Sequence, residues 1–178
     1  PITNNLEELD IFSNNIKKYK IPIMIGFQLR HHPHFIRLKE VINSGELGNP
    51  ISLSGFVGQY LPDWRSDKTY TSTSSARKSL GGGVILDLSH EIDIALQVLG
   101  IPINIFSYGG KYSELNIDTE DTAVISLKHK KGLSSIILNY HERKYTWTNT
   151  ITCSKGSIVW DYGNNNLSII TKRGLVEK

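Results

Sequence analysis

Asp87, His90 and Glu91 are the side chains best suited to acid–base chemistry in this 178-residue chain. A histidine titrates near neutral pH, and a neighbouring carboxylate can orient it. All three lie in GGGVILDLSHEIDIALQVLG, Gly81 to Gly100. Three successive glycines let the backbone take positive φ and let another group approach closely. Leu88, Ile92, Leu96 and Leu99 then recur at helical spacing with Ala95 beside them, and Gly100 and Pro102 stop the run. Asp87, His90, Glu91 and Ile94 fall on a second face of that helix. The stretch therefore predicts a glycine-walled turn leading into one buried helix, whose first turn offers a carboxylate and an imidazole to a small polar molecule. The same residues also read as a glycine-rich loop and a satisfied helix-start histidine, because D-x-x-H is short and common.

Other residues able to do chemistry cluster in YLPDWRSDKTYTSTSSARKS, Tyr60 to Ser79, which has neither a helical nor a strand period. Long connections of this kind are usually functional or disordered. Tyr60, Trp64, Arg65, Tyr70 and Arg77 suit a substrate lid, since rings stack on sugar or base faces and guanidinium grips carboxylate or phosphate. Trp64 and Tyr70 could equally pin the loop to the core. His31, His32 and His34 invite a metal reading, but adjacent residues around Pro33 rarely converge on one ion and no Cys, Asp or Glu completes the set, so no metal site is expected. Cys153 sits in a strand pattern and reads as a small core residue. Neither G-x-G-x-x-G nor a Walker loop occurs.

The elements that must position these groups follow from periodicity. Residues 1–20 read as a helix, with Asn4 and Glu7 as a capping box and Leu9, Phe12, Ile16 and Tyr19 as its stripe. IPIMIGF, Ile21 to Phe27, reads as a strand buried on both faces. Pro33 fits the first turn of a second helix, with Phe35, Leu38 and Ile42 as its stripe and Gly45 to Gly48 as its end. Ile51 to Gln59 alternates as a strand. After the central helix comes a meander: Ile103–Gly109, Thr122–Lys130, Leu133–His141, Trp147–Ser154, Ser157–Tyr162 and Asn166–Lys172, joined in part by Gly-bearing turns. The fold class is α+β, a large, mostly antiparallel open sheet with helices on one face. Ile136, Ile137 and Leu138 put apolar side chains on both faces, so the second face is expected to meet another subunit.

Composition narrows the partners. A net charge of +3 spread without a basic run gives no nucleic-acid stripe. No apolar run is long enough for a membrane span. One cysteine excludes an internal disulfide and suits a reducing, cytoplasmic setting. The chain starts at Pro1 without Met, so processing or a longer parent protein is expected.

Three stretches, PITNNLEEL at Pro1, IGFQLRHHPHFIRLKEVINSGELGNP from Ile25 to Pro50, and the Gly81–Gly100 segment, occur in an order and spacing that resemble the glucose–fructose oxidoreductase/inositol dehydrogenase (Gfo/Idh/MocA) family. The likeness covers nearly the whole chain. It implies a Rossmann domain first, then an α/β domain whose open sheet carries the substrate site and oligomer contacts. On this basis residues 1–29 are a remnant of the NAD(P)-binding Rossmann domain, and residues 30–178 are the C-terminal substrate-binding and oligomerisation domain. Pro1 matches the proline that follows the catalytic lysine of the family's Glu-Lys-Pro motif, and NAD or NADP is bound mainly by the domain preceding it. The family pairs an aspartate with a histidine as D-x-x-x-H. Here HEID, His90 to Asp93, matches and Asp87 stands one residue closer, so His90 and Asp87 are the implied catalytic residues. Arg30, Trp64 and Arg65 match positions near the substrate or nicotinamide. The implied activity is hydride transfer to or from a hydroxyl carbon of a sugar or sugar derivative, in a homo-oligomer formed through the sheet face. The alternative is a non-catalytic sugar-binding or regulatory protein that keeps the fold. The fragment alone is expected to be inactive.

Overall fold

The computed structural model describes residues 2–20 and 22–177. Pro1, likened above to the motif proline, Ile21, which opens the expected first strand, and Lys178 lie outside the described residues. Helix α1 runs Leu6–Tyr19 and is capped by Asn5, whose side chain accepts from the Glu8 amide at 2.8 Å, one residue later than the expected Asn4–Glu7 box. No residue of α1 is buried. Residues 22–27 form no strand, which corrects the sequence reading. An apolar run becomes a strand only where a ladder partner exists, and among the described residues this one has none.

A 3-10 turn over Gln28–His31 leads into α2, Pro33–Ser44. Pro33 takes the first turn, the His32 ring accepts from the His34 amide at 3.2 Å, and Gly45 ends the helix at φ 71°. Phe35, Leu38 and Val41 are its buried residues.

Among the described residues eight strands make one sheet: β1 Pro50–Gly58, β2 Pro102–Gly110, β3 Thr122–His129, β4 Gly132–Asn139, β5 Thr146–Cys153, β6 Gly156–Asp161, β7 Asn166–Thr171 and β8 Gly174–Glu177. Their order is β2-β3-β4-β1-β5-β6-β7-β8. β1 pairs parallel with β4, and every other neighbouring pair is antiparallel. One face is the core. Across its middle row Ile125, Ile136, Gly55, Asn149 and Trp160 lie side by side on β3, β4, β1, β5 and β6. The opposite face carries Ser52, Ser54, Ser126, Ser135, Thr148, Thr150 and Thr152, with Phe56, Val124 and Ile137 set among them. Ile137 points out and Leu138 is fully buried, as strand alternation requires.

The expected central helix is two helices. A four-residue α3, Val84–Asp87, ends at Leu88, and α4 spans His90–Leu99. The break at Leu88–Ser89 resets the face that α4 turns to the sheet. Glu91, Asp93, Ile94 and Ala95 are buried, while Ile92, Leu96 and Leu99, expected in the stripe, are half-buried. At the far end of α4 the buried His129 ring meets the Gly100 carbonyl at 2.7 Å and the Ser134 hydroxyl at 2.9 Å, so both its nitrogens are satisfied.

Candidate functional site

The glycine turn closes on the chain itself. Gly81 and Gly83 have φ of 73° and 119°, a region that side chains other than glycine rarely take. A side chain at Gly82 would run into the Ser74 and Ser75 carbonyls, and one at Gly83 into the Glu120 carboxylate. That carboxylate accepts from the Ile85 amide at 3.2 Å, and the Glu120 carbonyl accepts from the Val84 amide at 3.1 Å. The start of α3 is thereby fixed and its last residue, Asp87, is delivered to a cavity of about 290 Å³, shared with Ile2, Thr3, Asn4, Leu80, Gly81 and Leu86. From behind, the buried Tyr140 hydroxyl donates to Asp87 Oδ2 at 2.7 Å.

His90 begins α4 and is half-buried. Its ring meets Phe27 edge-on, centroids 5.6 Å apart, and lies 6.1 Å from Trp147. Its buried Nδ1 has no hydrogen-bond partner. Burial lowers its pKa from the ordinary imidazole value, against the pull of Asp93. The helix break separates Asp87 from His90, which corrects the expectation of one shared helical face. No hydrogen bond joins them, and neither Asp87 nor Glu91 bonds the imidazole: Tyr140 holds Asp87 Oδ2, and Trp147 and Asn149 hold Glu91 Oε1.

Glu91, expected on the face shared with Asp87 and His90, is instead turned down onto the sheet. It is fully buried over the centre of the sheet. Oε1 accepts from Trp147 Nε1 and, at 3.2 Å, from Asn149 Nδ2, while Oε2 and Asn149 Oδ1 are both buried without partners. One proton on Oε2 donated to Asn149 Oδ1 would satisfy both atoms and close an acid–amide ring. Burial pushes the Glu91 carboxyl up to about 7 despite the bonds from Trp147 and Asn149. Gly55 makes the room, since a side chain there would strike Glu91 Oε2. The signal lay in β1 and β5: Gly55 shares the core face with Leu53 and Val57, and Asn149 shares it with Ile151 and Cys153.

The remaining candidates divide. Arg30 makes a bidentate pair with the buried Asp93, Nε at 2.8 Å and Nη2 at 2.5 Å, and lies over the Phe27 ring. The Tyr60–Ser79 connection is a series of 3-10 turns at Leu61–Asp63, Tyr70–Ser72, Ser74–Ala76 and Lys78–Leu80, each too short to show a period. Trp64 packs edge-on to Tyr140 at 5.3 Å. The Tyr70 hydroxyl accepts from the Asn116 amide at 3.1 Å. Arg77 is exposed, and its Nε donates to the Thr71 carbonyl at 2.8 Å. Arg65 is exposed beside Trp64 and Tyr70. Tyr60 and Tyr70 line a second cavity, about 340 Å³, with Ser113, Glu114, His141 and Arg143, whose guanidinium stacks on Tyr60 at 3.6 Å. Among the described residues no three His, Cys, Asp or Glu gather as a metal site. His32 instead packs between His34, Trp160 and Tyr162.

Residues 35–159 match the model of the GFO/IDH/MocA C-terminal domain, and the chain belongs to that family. It is 27% identical over 178 residues to a myo-inositol 2-dehydrogenase of Thermotoga maritima, covering 96% of this chain and 50% of that protein. A scyllo-inositol 2-dehydrogenase (NAD(+)) of Bacillus subtilis is 31% identical over 112 residues, 62% of this chain and 30% of the relative. The fold superposes on a levoglucosan dehydrogenase in complex with NADH with a TM-score of 0.83 at 22% identity, over 97% of this chain and 50% of the other. This chain thus spans about half the length of such relatives.

Proposed function

We propose that this chain is the substrate-binding part of an NAD(P)-dependent oxidoreductase that moves hydride to or from a hydroxyl carbon of a sugar or sugar derivative. The observation that carries this reading is Asp87, a carboxylate anchored from behind and presented at a cavity wall beside the residues that open the chain. A carboxylate there accepts a hydrogen bond from a substrate hydroxyl and orients the carbon bearing it. His90, kept neutral by burial, is suited to take or return the hydroxyl proton. Nicotinamide, when bound, supplies or accepts the hydride. No G-x-G-x-x-G turn occurs in the chain to cradle the dinucleotide phosphates, so in this reading they are held by a preceding domain to which residues 1–29 belong. The apolar side chains that α1 leaves exposed, Leu6, Leu9 and Ile11, support that division. The named relatives act on inositols, and the levoglucosan dehydrogenase has been solved with levoglucosan and with L-sorbose, which favours a polyol or sugar substrate.

The sheet's outer face is the proposed contact with a second copy. It holds a depression of about 490 Å³ lined by Ser52, Ser54, Phe106, Lys128, Leu133 and Ser135, with Val124 and Ile137 exposed nearby. Among the described residues no helix is long and apolar enough to cross a membrane.

The test is isotope transfer. The full-length protein is incubated with NAD+ and a panel of carbon-deuterated inositols, hexoses and anhydrosugars, and the nicotinamide is analysed by mass spectrometry. Deuterium in the nicotinamide is the expected result. Sugar binding with no transfer across the panel contradicts the enzyme reading and leaves the non-catalytic sugar-binding protein.

A further inference from the structure

We propose that Tyr140 is a positioning residue for Asp87, locking the carboxylate in the orientation it presents to the cavity. The proposal rests on the reading of Asp87 given above, and it concerns a residue outside the glycine–helix segment altogether.

Asp87 is poorly placed to hold itself. It ends a four-residue helix, and the chain leaves helical geometry at the next residue. A carboxylate at such a position rotates unless something fixes it. Tyr140 is built to do so. It follows β4 directly and is fully buried. Its backbone is clamped on both sides: its amide donates to the Asp121 carbonyl at 2.9 Å, and its carbonyl accepts from the Leu61 amide at 2.8 Å. Its ring meets Trp64 edge-on. The phenol oxygen is therefore a fixed point of the core, and from it the hydroxyl reaches Asp87 Oδ2 at 2.7 Å.

The donor direction is secure. Burial above all, and then the charge and hydrogen bond of Asp87 and the charge of Glu120, push the Tyr140 phenol far above its ordinary value. The phenol therefore keeps its proton, and its hydroxyl donates to the carboxylate. Hydrogen bonds to a charged acceptor are short and roughly twice as strong as neutral ones. One oxygen of Asp87 is thus tied to the core while the other remains for a substrate hydroxyl. Trp64, from the loop, packs against the ring that holds the carboxylate.

The experiment uses the full-length protein with 13C-carboxyl aspartate, the Asp87 signal being assigned by its loss in Asp87→Asn. Tyr140→Phe keeps the ring and removes only the donor. The expected result is a displaced Asp87 carboxyl resonance and, with NAD+ and myo-inositol or levoglucosan, a kcat about tenfold lower at nearly unchanged KM. In the Asp87→Asn background Tyr140→Phe should add almost nothing, because the two act as a unit. An Asp87 resonance unmoved by Tyr140→Phe overturns the proposal whatever the substrate. Full turnover in Asp87→Asn overturns the underlying reading of Asp87 together with it, whereas loss in Asp87→Asn with full turnover in Tyr140→Phe overturns the positioning role alone. If Tyr140→Phe does not fold, 3-fluorotyrosine at the same position provides a stronger donor. It must then displace the Asp87 resonance in the opposite direction to donor loss in a small-molecule carboxylate–phenol pair, and an unmoved signal refutes the proposal.

Discussion

Replacing Glu91 with Gln should make the protein more stable at alkaline pH and leave it nearly unchanged at acid pH. Glu91 is fully buried, and its carboxyl is pushed up to about 7 from an ordinary 4.5. A carboxyl raised in the folded state binds its proton more tightly there than in the unfolded chain. Its contribution is therefore intact below about 4.5, falls as the pH rises through about 7, and is flat beyond. At about 1.4 kcal/mol for each tenfold change, ionising it costs the folded state about 3 kcal/mol. Glutamine has the shape of the protonated acid. Its carbonyl accepts from Trp147 and Asn149 as Oε1 does, and its amide can donate to the unpartnered Asn149 Oδ1. Urea unfolding followed by tryptophan fluorescence, repeated from pH 4.5 to 8.5, measures the difference. The variant's advantage should grow from about zero to about 3 kcal/mol across that range. Parallel stability curves would refute both the buried neutral acid and its pairing with Asn149.

Gly55→Ala should destabilise the fold by about 1–3 kcal/mol in the same assay, because the added methyl meets Glu91 Oε2 and Asn149 Oδ1 in a packed core. Ile137→Lys should give folded monomers by sedimentation if the outer face joins two copies, since it places charge in that contact. Leu138→Lys should instead fail to fold, its side chain being fully buried on the core face. Arg30→Ala should lower stability by about 1–3 kcal/mol by leaving the buried Asp93 carboxylate without its bidentate partner, as read from the urea midpoint.

Much of the sheet was legible because strand alternation and glycine turns are local signals. The meander from β3 to β7 falls within a residue or two of the sequence expectation, and Pro33 marks the start of α2. What was illegible depends on distant partners. Residues 22–27 have strand composition but no ladder, and β1 joins the sheet by pairing parallel with β4 some eighty residues on. The break at Leu88–Ser89 is hidden by a continuous apolar period, and with it the separate settings of Asp87 and His90. By spacing alone Glu91 belongs to the face shared with Asp87 and His90. Only the pairing of Gly55 with Asn149 in the core row shows a polar socket beneath it. Arg30 enters the site only through the family resemblance, and its pairing with Asp93, 63 residues away, has no local signal in the sequence.

The most direct measurement is NAD+-dependent turnover of the full-length protein, wild type against His90→Asn, on whichever polyol or sugar transfers deuterium. Asparagine keeps polarity and approximate size at the start of α4 but cannot exchange a proton near neutral pH. The expected result is a loss of roughly 10²–10⁴ in kcat/KM, with NADH affinity nearly unchanged and a wild-type unfolding midpoint. Near-normal turnover by a normally folded His90→Asn variant would contradict it.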